Sequence, residues 1–177
     1  MSLSQRELWT VVHGMLLGAV FLLAFAGGLA ELLSLRSDYE TPRGMLKSQR
    51  RLVSGTWIMA LIAWLTVITG TYIVYPWYRA KVPAGAESLL EYPRSYLLTD
   101  PNRAAWHTFG MEWKEHVSWI APILATAVAF VASRYRQRLG EDKLLRRALM
   151  VLFTIAFVCA GVGGVFGAFI NKVAPIR

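Results

Sequence analysis

The chain has 177 residues, 55% of them apolar, and a formal net charge of +8. That apolar share argues against an ordinary soluble domain and suits about four membrane spans. The charge does not point to nucleic acid, because eleven of the 19 basic residues fall in two short connections between apolar runs. A lone cysteine, Cys159, excludes an intrachain disulfide.

The first apolar run predicts a membrane helix over about 8–33. Its Ala24-Phe25-Ala26 resembles a signal-peptidase site, but the run is longer than a signal peptide's apolar core. Gly14 and Gly18 form a small-xxx-small pair that would let another helix approach closely. A polar connection follows, with Arg36, Arg43, Lys47, Arg50 and Arg51 against Asp38 and Glu40. Glu31, at the end of the first span, is expected to pair with Arg36 or another basic residue of this connection.

The second span is predicted over about 52–74. It ends in Tyr75-Pro76-Trp77-Tyr78, an aromatic belt with a helix-stopping proline. Residues 79–112 make the longest connection, in which Pro83, Gly85, Pro93 and Pro101 exclude one continuous helix. Asp100-Pro101 reads as a helix start, running on through Trp106 and His107 with a break at Gly110.

The third span is predicted over about 113–132, with Pro122 as a possible kink and Ala121, Ala125, Ala129 and Ser133 as a small-residue packing ridge. A second basic connection holds Arg134, Arg136, Arg138, Lys143, Arg146 and Arg147. The fourth span, about 148–170, ends in a glycine-rich face at Gly161, Gly163, Gly164 and Gly167 that should touch another helix. The fold class expected is therefore an all-α, integral membrane four-helix bundle, up-down-up-down. It forms one domain with its longer extracytoplasmic loop between helices 2 and 3. The positive-inside rule puts the basic connections in the cytoplasm and both termini outside, in a multi-pass protein of a bacterial plasma (inner) membrane.

Two histidines carry the functional reading. His13 follows Trp9 by four residues, and His116 follows Trp113 by three. At about 1.5 Å per residue, each lies roughly 5 to 6 Å inside its tryptophan, at a shared depth. Two imidazoles on parallel helices suit the axial positions of one haem b, with Gly14 and Gly18 clearing its slot. Arg94, Arg103 or Lys114 would meet the propionates. His107 reads as a surface imidazole of the long connection; its alternatives are to replace one of the iron ligands or to hydrogen-bond a quinone. Glu112, Glu115, His107 and His116 are the other conceivable metal donors, without a recognised zinc spacing.

No second histidine level exists, so one haem at most is supported. The layout resembles, in architecture, the small four-helix membrane b-type cytochromes and the membrane anchors of respiratory dehydrogenases, and it does so through His13 and His116. That resemblance implies a membrane electron-transfer subunit of a respiratory or photosynthetic complex. Its partners would be lipid, other membrane-complex subunits, and an outer-side cytochrome or quinol, with no nucleic acid. The competing expectation is a cofactor-free accessory subunit that anchors or stabilises a larger complex. A non-catalytic role is favoured over an enzyme, since no phosphate loop, catalytic triad or carboxylate pair is present.

Overall fold

A computed structural model describes residues 3–35 and 41–176. It is all-helical, with four long apolar helices packed as a bundle, each long and apolar enough to cross a membrane. They are α1 (Gln5–Ser34), α2 (Arg43–Tyr78), α4 (Pro101–Arg134) and α5 (Lys143–Val173); the short helix α3 (Pro93–Leu98) lies in the long connection. Arg36, Asp38 and Glu40 of the first basic connection lie outside the described residues.

The helices are longer than the apolar runs alone imply, because local caps extend them into polar sequence. Ser4 and Glu7 form a reciprocal capping box at the start of α1, at 3.2 and 2.8 Å. Asp100 accepts from the Asn102 amide at 2.9 Å and opens α4 with Pro101 in its first turn. Asp142 accepts from the Leu145 amide at 2.9 Å and does the same for α5. Gly110 does not break α4. It is buried, and a Cβ there would stand 3.4 Å from the Phe166 ring. Nor does Pro76 stop α2, which runs on to Tyr78.

The contacts group into two compact units. The terminal unit comprises Met1–Gly18, Leu65–Trp119 and Ala160–Arg177. Its apolar core is Tyr78, Leu97, Met111, Ile170, Ala174 and Ile176. Three π-helical segments fall in it: Val12–Leu16, Gly70–Val74 and Trp106–Met111. A π turn admits one residue more than an α turn. Side chains beyond it are therefore rotated by about 100° from a straight α pattern.

The basic unit comprises Ala19–Trp64 and Ile120–Cys159. Here the expected ridge is realised: Ala121, Ala125 and Ala129 are fully buried. Ser133 accepts from the Trp57 indole at 2.9 Å, and Thr126 from Trp64 at 3.0 Å. Phe25 stacks on Phe157 with centroids 4.0 Å apart, and the Phe153 ring edge packs against Gly28. Glu31 pairs with Arg51 at 3.4 Å and accepts from Ser48. Leu23, Leu61, Ile123 and Phe130 are among the large apolar side chains exposed on these helices, as a lipid-facing surface requires.

Candidate functional site

His13 lies inside the first π-helical segment, and its ring rests on Gly70, the first residue of the second. A Cβ at Gly70 would stand 2.7 Å from the ring's Cε1, so only glycine admits the imidazole in this position. The ring's Nδ1 is 3.2 Å from the Thr69 hydroxyl. That hydroxyl donates its own proton to the Leu65 carbonyl at 2.7 Å. Thr69 therefore accepts and Nδ1 carries the hydrogen, and the Thr66 backbone is a second hydrogen-bond partner of the ring. The close approach expected at Gly14 and Gly18 does not occur there. Both face open space, and the glycine that receives a neighbour is Gly70 on α2.

His116 also has its Nδ1 fixed, by donation to the Glu112 carbonyl at 2.9 Å, with a Glu112 carboxylate oxygen at 3.5 Å. No hydrogen bond of its Nε2 is found among the described residues. The side chain, however, is 70% exposed. Lys114, two residues before it, turns the other way and lays its ammonium over Gly167. Ser118 sits over Gly163 on the same side. His116 is about 200° round the helix from Lys114, on the opposite face. Each histidine is held by its own neighbours, His13 by Thr69 and Gly70 of α2 and His116 by Glu112 of α4.

The polar residues that do converge are others. His107, expected on the surface, is 6% exposed, because α4 begins at Pro101 and carries it into the interior. Its Nδ1 lies 2.9 Å from the Tyr78 hydroxyl and its Nε2 is 3.4 Å from the Arg94 Nε. Arginine only donates, so Nε2 accepts and Nδ1–H points to the tyrosine. Both ring nitrogens are engaged, and neither is left for iron. Arg79 lies 3.7 Å from the Glu115 carboxylate and over the Tyr75 ring.

Arg94 and Arg103, expected at haem propionates, are occupied otherwise. Arg94 holds His107. Arg103 lies 3.2 Å from Asp100 and 4.0 Å over the Tyr96 ring. Among the described residues no three histidine, cysteine or acidic side chains gather as a metal site. Lys114 has no hydrogen bond or ion pair among the described residues.

Sequence reasoning missed Gly70, Tyr78 and the clasp on His107. One signal was available: Tyr78, Arg79, Arg94, Glu115 and His107 are the polar and charged groups flanking the long connection, and a structured connection must pair them. The chain matches no family model, no curated protein and no solved structure.

Proposed function

We propose that this chain is an accessory subunit of a larger membrane complex, whose four spans carry a preformed cap for a partner subunit. The observation that carries this reading is His107, held on one ring nitrogen by Tyr78 of α2 and on the other by Arg94 of the long connection. The connection is tied to the spans by the chain's own side chains. Leu97 of α3, fully buried, adds an apolar anchor to the same core. A surface ordered in advance loses little entropy when a partner docks. In this reading the basic connections face the cytoplasm and the cap faces the other side, by the positive-inside rule.

The test is native electrophoresis of membranes in mild detergent, for the wild type and for Leu97→Ala with His107→Ala. The wild type should migrate in a complex well above its 19.8 kDa, and the variant should leave it while keeping its helical signal. A wild-type chain that migrates alone overturns the reading.

Electron transfer through one haem b is the second reading, and one observation favours it. His13 and His116 each have Nδ1 within hydrogen-bond distance of a helix residue's oxygen, a contact that orients the ring as in a ligating imidazole. A haem in this reading would be held by His13 and His116. When bound, haem b supplies one-electron chemistry, and the chain's part is to hold each imidazole in the correct tautomer. A reduced-minus-oxidised visible spectrum decides. A b-type signal lost in His13→Ala or His116→Ala establishes this reading, and a colourless folded protein removes it.

A further inference from the structure

At the start of α2, in the basic unit, Arg43, Leu46, Lys47, Arg50 and Arg51 line a groove. The spacing puts Arg43, Leu46, Lys47 and Arg50 on one helical face. Glu31 answers Arg51 at 3.4 Å. The other three cations have no acidic partner among the described residues. The exposed face does not end with them. It continues along the same helix through Trp57, Ile58 and Leu61, which are 44, 47 and 59% exposed. From Arg50 to Leu61 the helix rises about 16 Å, close to half the roughly 30 Å hydrocarbon thickness of a bilayer. One surface therefore offers a cluster of cations at one end and an apolar stripe of acyl-chain length beneath it.

We propose that this face is a binding site for an anionic phospholipid. The headgroup phosphate sits among Arg43, Lys47 and Arg50, and an acyl chain lies along Trp57, Ile58 and Leu61. Charge complementarity selects the headgroup: three cations at a membrane surface, without an acidic partner among the described residues, attract an anionic lipid over a zwitterionic one. Basic residues in that position contribute about 1 kcal/mol each, or roughly fivefold in affinity. Leu46, in the groove, and the stripe below it select a lipid over a soluble phosphate. This site is independent of the role proposed for the cap.

The test uses the purified full chain, delipidated and reconstituted with equal amounts of phosphatidylglycerol and phosphatidylcholine, with bound lipid counted by native mass spectrometry. The wild type should retain phosphatidylglycerol over phosphatidylcholine by tenfold or more. R43Q/K47Q/R50Q should bring that ratio close to one while its helical circular dichroism stays unchanged. R43K/R50K, which keeps the charge, should hold the preference and guards against a folding defect in the triple variant. Equal retention of the two lipids by the wild type overturns the proposal, as does an unaltered preference in the folded triple variant. Glycerol 3-phosphate at millimolar concentration is the last arm. Failure to displace the lipid supports a site that reads headgroup and chain together, and full displacement makes the ligand a soluble phosphate and overturns the lipid assignment.

Discussion

Gly28 in the basic unit and Gly70 in the terminal unit perform the same geometric task for different neighbours. Each removes a Cβ that would stand under 3 Å from a ring. Over Gly28 the ring is Phe153, fully buried and tilted against Phe25, which in turn stacks on Phe157. Over Gly70 it is His13, half-buried, with its Nδ1 anchored on Thr69. The basic unit is built on uninterrupted α-helix, buried alanines and aromatic stacking. The terminal unit has all three π-helical segments and the internal polar clasp on His107. Regular helix packs small residues in register. Irregular helix turns polar side chains inward at positions the α repeat would send elsewhere. π-helical turns are frequent at functional sites.

The comparison can be broken from either side. The largest effect is expected for His107→Ala. It leaves the Tyr78 hydroxyl and the Arg94 Nε without their shared partner in a buried setting. Loss of about 2–4 kcal/mol should follow, since each unsatisfied buried group costs about 1–3 kcal/mol. Thermal unfolding in detergent measures it, and a change below 1 kcal/mol means the clasp does not hold the cap. Next comes Gly28→Ala. The Phe153 ring is buried on all sides and cannot swing away from a Cβ at 2.8 Å. Overpacking of this kind costs about 1–3 kcal/mol. An unchanged melting temperature would show that the aromatic stack is loose.

What the sequence made legible divides along the same line. The four spans, the Asp100-Pro101 helix start and the Ala121–Ala125–Ala129 ridge all rest on local rules of capping and regular periodicity. Each is found where those rules put it. The pairing of Glu31 with a basic residue of the following connection is also found, through Arg51. The site was less legible. His107 was read as part of a surface connection because Gly110 looks like a helix break. In the fold Gly110 lets Phe166 approach, and the helix passes through it. Whether His13 and His116 face each other does not follow from the sequence. No local residue pattern announces the π-helical turns beside them.

Gly70→Ala sharpens the comparison at the site itself. The new methyl must displace the His13 ring, which is only half-buried and has room to move. The cost should therefore be about 1 kcal/mol, below that of Gly28→Ala. The more telling readout is the His13 imidazole resonance in an NMR spectrum. It should shift as the Thr69 hydrogen bond lengthens, while the resonances of His107 and His116 stay in place. A stationary His13 signal would mean the ring does not rest on Gly70.

The glycine-rich end of α5 gives the finest discrimination. Gly163, Gly164 and Gly167 look equivalent in sequence, yet Ser118 covers Gly163, the Lys114 ammonium covers Gly167, and nothing lies within 4 Å of a Cβ at Gly164. Gly164→Ala should therefore be neutral or stabilising by up to about 1 kcal/mol, the gain in helix propensity of alanine over glycine. Gly167→Ala meets only the mobile tip of a lysine, so the same propensity gain is offset by the cost of moving the ammonium, with a net change near zero. Gly163→Ala meets a short serine side chain that cannot retreat as far, and should be the least stable of the three. The order Gly164, Gly167, Gly163 in melting temperature follows from the packing of α4 on α5. Equal melting temperatures for all three would mean that Lys114 and Ser118 do not occupy this groove, and with them would go the assignment of His116 to the opposite face of α4.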